Sequence, residues 1–104
     1  MKRLFLLTPE ARSNLSEILL DIAEDSPAAA ERLRLEIYQG FKRLGKSPGI
    51  GHYREDLLDR RYRFWNFYSY VACYAWEKKP IHIIAVVHGA RHLTSFFSSR
   101  LGSG

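Results

Sequence analysis

Two aromatic-rich apolar runs, Tyr62–Tyr68 and Tyr70–Trp76, are separated by a single serine, and a third run, Ile81–His88, follows the polar break Glu77-Lys78-Lys79-Pro80. Runs of six to eight residues are too short for packed helices. Their Tyr, Phe, Trp, Val and Ile content suits a pleated surface buried on at least one side. The spacing predicts strands over 62–68, 70–76 and 81–88. The last is interrupted only by His82, which marks a central strand covered on at least one face. Everything before residue 60 must then supply cover for that sheet.

The first half reads accordingly. Lys2–Leu7 is a short apolar run suited to an edge or near-edge strand. Thr8-Pro9-Glu10 places a capping hydroxyl, a proline at the first helical position and an early acid in sequence, which starts a helix. Ala11, Leu15, Ile18, Leu19, Ile22 and Ala23 recur at helical spacing along it. Ser26-Pro27 repeats the device, and Ala30, Leu33, Ile37, Phe41 and Leu44 form the inner stripe of a second helix. With so short a joint around Asp25 the two helices fold back as an antiparallel hairpin. Gly45–Gly51 is breaker-rich and ends the second helix. After Gly89, Leu93, Phe96, Phe97 and Leu101 predict a short C-terminal helix.

The expected order is βααβββα, an α+β two-layer sandwich. A helix hairpin covers a four-stranded antiparallel sheet of order 1-4-3-2, with the last strand antiparallel beside the first. One domain spans 1–101, and Gly102-Ser103-Gly104 reads as a frayed tail or a remnant of cloning. A chain of 104 residues buries roughly 65% of its unfolded surface, enough for a core without staples. The lone Cys73 cannot form an internal disulfide, and there is neither a signal segment nor an apolar run of the ~18 residues a span requires. A cytoplasmic location is expected.

Charge is uneven. Residues 1–36 hold five Lys/Arg against seven Asp/Glu, and residues 37–104 hold eleven against four. A basic sheet half suits an acidic or polyanionic partner, or is simply solvated. Arg60, Arg61 and Arg63 are interleaved with Tyr62, Phe64 and Trp65. Cations beside aromatics are what single-stranded nucleic acid binding uses, although aromatics in strands also serve as core. By strand alternation Arg63 shares a face with Trp65 and Phe67, opposite Tyr62 and Phe64. At the end of the third run, His88-Gly89-Ala90-Arg91-His92 projects a cation and two histidines. Arg91 either pairs with an acid such as Asp56 or Asp59, or forms an anion-binding tip. His88 and His92 have the spacing of two metal ligands but lack a third, so no metal is expected. Gly45–Gly51 lacks the Walker spacing, and no nucleophile elbow is present. No cofactor, small-molecule substrate or membrane partner is indicated.

The ordered set Arg63-Phe64-Trp65, Tyr74, Ile81-His82-Ile83-Ile84 and Val87-His88-Gly89-Ala90-Arg91 resembles the RelE/ParE superfamily of type II toxins. The end motif is similar to the His-Gly-x-Arg-Asp of the ParE branch, and Leu44, Pro48-Gly49 and Gly51 match that branch's spacing between helix and sheet. His92 stands where the branch usually has Asp. The resemblance implies a toxin that binds and poisons DNA gyrase and is neutralised by a ParD-like antitoxin. Arg63, His88 and Arg91 would engage the target, and Arg60 and Arg61 would support them electrostatically. The RelE branch instead cuts messenger RNA on the ribosome. Under that alternative Arg61, Arg63 and Arg91 would stabilise the phosphorane charge and His92 would move a proton, provided that they converge. The third alternative is a catalytically silent binding module. Lys42, Lys46, Lys78 and Lys79 fall on helix, loop or turn, and the C-terminal segment carries Phe96-Phe97 and no Tyr, which favours the non-nuclease branch. A groove between helices and sheet edge would suit an amphipathic helix or an added strand of the antitoxin.

Overall fold

A computed structural model describes residues 3–53 and 60–89. The elements are β1 (Phe5–Leu7), α1 (Pro9–Asp25), α2 (Pro27–Lys46), a 3₁₀ turn (Pro48–Ile50), β2 (Tyr62–Phe67), β3 (Tyr70–Ala75) and β4 (Ile81–His88). The expected C-terminal helix, the tail at 102–104, Arg91 and His92 lie outside the described residues.

Both helix starts form as their caps dictate. The Thr8 hydroxyl accepts from the Ala11 amide at 3.1 Å and donates to the Ile84 carbonyl at 2.9 Å, so one side chain caps α1 and ties it to β4. Ser26 closes α1 and opens α2, its N–H donating to Ile22 O and its hydroxyl accepting from Ala29 N. A single residue therefore joins the helices, and they pack as a hairpin.

The strand order is β1-β4-β3-β2, as the sequence predicts, but the sheet is mixed rather than antiparallel. β1 pairs with β4 in parallel, Phe5 opposite Ile81 and Leu7 opposite Ile83, whereas β4–β3 and β3–β2 are antiparallel. The reason is one of parity. The helix hairpin leaves from the far end of β1 and brings Gly45 back against Leu4, at the end where β1 starts. β2 then sets out in the direction of β1, and two reversals later β4 shares it.

The sheet has a buried set on each face. Beneath the helices lie Phe67, Ala72, Tyr74, Ile81, Ile83 and Val86, packed with Ala11, Leu15, Ile37, Phe41 and Leu44. The opposite face buries Phe64, Val71, Cys73, Ala85 and Val87. Coverage on both sides explains why the β4 run shows no clean alternation. A register shift between Cys73 and Tyr74 leaves Ile84 as the extra residue of β4, so Ile84 and Ala85 join the same face. Trp65 reaches α2 because Gly40 carries no Cβ: one placed there would lie 2.0 Å from the indole. In the two-residue turn between β2 and β3, Tyr68 takes a left-handed backbone (φ 51°), and its hydroxyl donates to the Glu36 carboxylate, which raises its pKa.

Candidate functional site

The cations at the start of β2 are built into a cage. Tyr74 on β3 is fully buried, and its hydroxyl accepts from Gly51 N at 2.9 Å and donates to Pro48 O at 2.6 Å. The Pro48–Gly51 segment is thereby pinned over the end of the sheet. Burial is the main reason that the Tyr74 phenol titrates above its ordinary range; the Gly51 hydrogen bond and the nearby Arg63 charge pull the other way. Backbone bonds between His52 and Phe64 continue the attachment, at 2.9 and 2.7 Å.

This anchored segment presents Tyr53 to β2. The Arg63 guanidinium carbon lies 4.3 Å from the Tyr53 ring centroid and 4.3 Å from that of Trp76, and Nη1 donates to Gly51 O at 2.6 Å. Its Nε is buried without a hydrogen-bond partner. Arg60 stands 4.3 Å over the same Tyr53 ring, and its carbonyl accepts from the Trp76 indole at 2.9 Å. Arg61 sits 5.4 Å over Tyr62. Two guanidiniums and two rings thus hold one another in register, each contact contributing roughly 0.5–2 kcal/mol according to its exposure. Arg63 is half-buried and engaged, whereas Arg60 and Arg61 are exposed. As alternation predicts, Trp65 and Phe67 belong to the helix-side cluster, and Tyr62 and Phe64 to the opposite one.

His88 lies elsewhere. The sheet register places Arg63 in a row with Tyr74 and Ile83, and Phe67 in a row with Tyr70 and His88. Five residues of β4 separate the rows, about 16 Å. His88 is exposed and stands edge-on to Tyr70, with ring centroids 5.4 Å apart, beside a groove lined by Glu10, Asn14, Glu17 and Asp21 of α1. The Gly89 amide donates to Ser69 O at 2.6 Å, a close approach that ties the end of β4 to the β2–β3 turn. The arginines of β2 and the histidine of β4 therefore occupy opposite ends of the sheet.

Tyr53 and Trp76 were not legible as partners of Arg63: they are 23 residues apart and look like ordinary core aromatics. Among the aromatics weighed for base stacking, Phe64 and Tyr74 are core, Trp65 packs against it, and Tyr68 is 73% exposed. Among the described residues no three His, Cys, Asp or Glu side chains cluster as metal ligands, and no helix is long and apolar enough to cross a membrane.

Comparison with protein families gives a match to the model described as ParE toxin of type II toxin-antitoxin system, parDE, over residues 5–93. No curated protein matches the chain.

Proposed function

This chain belongs to the ParE toxin family of type II toxin–antitoxin systems, and from that premise we propose that it arrests growth by binding DNA gyrase and is held inactive by a ParD-like antitoxin. The observation that carries the binding reading is the Arg63 cage. A cation that stabilises a phosphorane must present free N–H groups to the substrate, and this guanidinium is stacked between Tyr53 and Trp76 and bonded to Gly51 O. Its role is to position the Tyr53–Arg60 surface. Target engagement falls to the exposed Arg60 and Arg61 at one end of the sheet, and to His88 with the Arg91 that follows it in sequence at the other. Separation of the two ends suits a broad protein interface better than one reaction centre.

The test is pulse labelling in bacteria that express the chain without antitoxin. Thymidine incorporation should fall within minutes while methionine incorporation persists. An early loss of translation with DNA synthesis intact would replace the gyrase reading with the ribosome-dependent ribonuclease.

A further inference from the structure

The sheet has two outer strands, and their free edges are treated differently. β2 is closed at Phe64 by the backbone pair with His52. β1 has no such cover among the described residues, and it borders two adjoining grooves of ≈ 560 Å³ each, which share Arg3 and Leu4. Its hydrogen-bonding pattern can be read from one contact. Thr8 N donates to Ile83 O, so alternation turns the N–H and C=O of Phe5 and Leu7 away from β4, to the open side.

Cations from five separate stretches meet around this edge: Arg3, Arg12, Lys42, Lys46, Lys78 and Lys79. All six are exposed, none makes an ion pair or hydrogen bond through its side chain among the described residues, and no acid lines either groove. Edge lysines discourage strand-to-strand aggregation, and Lys46 also complements the C-terminal end of α2. Those roles do not require Arg12 and Lys42, which approach from the two helices.

We propose that the outer edge of β1 receives an extended, acidic segment of the antitoxin, which adds to the sheet as a fifth strand with its carboxylates among these six cations. The proposal rests on the antitoxin reading above and names the surface and chemistry of that contact. Strand addition suits the site because Phe5 and Leu7 offer both donors and acceptors to the open side. A nucleic acid backbone could satisfy only the donors. The groove floor is also largely apolar, with Leu4, Leu6, Tyr38 and Pro80, which suits alternate side chains of a peptide.

The experiment uses the full-length chain, its Arg3→Glu/Lys42→Glu/Lys78→Glu/Lys79→Glu variant, and the antitoxin encoded beside its gene. Titration should show the variant binding about 30-fold more weakly or worse, because four exposed ion pairs worth a factor of roughly 1.5–5 each become repulsive. Hydrogen exchange on the wild-type complex should show the Phe5 and Leu7 amides newly protected. A complex of unchanged affinity in which those amides still exchange overturns the edge proposal and leaves the antitoxin reading standing. No complex with the wild-type chain overturns both. If the variant instead loses binding to a DNA duplex of about 30 base pairs and keeps the antitoxin, the edge is a nucleic acid surface and the proposal falls. Unchanged circular dichroism and melting temperature should accompany the variant, since all four positions are exposed.

Discussion

Replacing Tyr74 by Phe removes one oxygen atom, and the structure assigns that atom a large share of the toxin's stability. The hydroxyl is fully buried and is the sole side chain holding the Pro48–Gly51 turn, through Gly51 N at 2.9 Å and Pro48 O at 2.6 Å. Two hydrogen bonds contribute about 1 kcal/mol each, and an orphaned buried N–H costs a further 1–3 kcal/mol, roughly, so the expected loss is about 3 kcal/mol. Against a total of roughly 5–15 kcal/mol this is severe, and it lowers the melting temperature by roughly 15 °C. Urea unfolding followed by tryptophan fluorescence measures it, with the slope m unchanged if only stability has moved. The substitution also has a pH signature. Because the folded phenol titrates above its unfolded value of about 10, the native state keeps this proton when the unfolded chain has lost it. The associated stability is intact below pH ~10 and is lost as pH rises through the folded pKa. The difference between wild type and variant should therefore shrink in strong base. A loss below about 0.5 kcal/mol, or a difference that does not change with pH above 10, would refute the reasoning.

Other substitutions probe the remaining contacts. Gly40→Ala should destabilise by about 1–3 kcal/mol despite alanine's better helix propensity, because its Cβ would lie 2.0 Å from Trp65; Trp65→Phe in the same chain should recover part of that loss in thermal melts. Arg63→Lys keeps the charge but gives up the planar stack, and should cost about 1–2 kcal/mol in chemical denaturation, with a change in Trp76 fluorescence. Asn14→Ala leaves the Val86 amide without the Oδ1 acceptor now 3.0 Å away and should cost about 1–3 kcal/mol, with faster exchange of that amide.

The helix hairpin, strand order and centrality of β4 were all readable from local chemistry. Thr8-Pro9 and Ser26-Pro27 mark helix starts by capping, and aromatic density marks strands. What escaped reading depends on tertiary geometry. The parallel β1–β4 pairing follows from where Gly45 returns to Leu4, a close approach that no spacing rule encodes. The Arg63 cage needs Tyr53, an aromatic in an irregular stretch, to meet Trp76 beyond the end of β3. The six cations at the β1 edge are scattered between residues 3 and 79 and form no motif. The candidate residues Arg60, Arg61, Arg63 and His88 were visible because of their positions at strand ends. That they belong to opposite ends of the sheet was not, since separation depends on register and direction.

The most direct measurement is a gyrase assay with purified toxin and relaxed plasmid. The account predicts that supercoiling falls as toxin is added, that cleaved plasmid accumulates, and that antitoxin restores the enzyme. Undiminished supercoiling at stoichiometric excess, together with toxin-dependent cutting of messenger RNA on ribosomes, would contradict it.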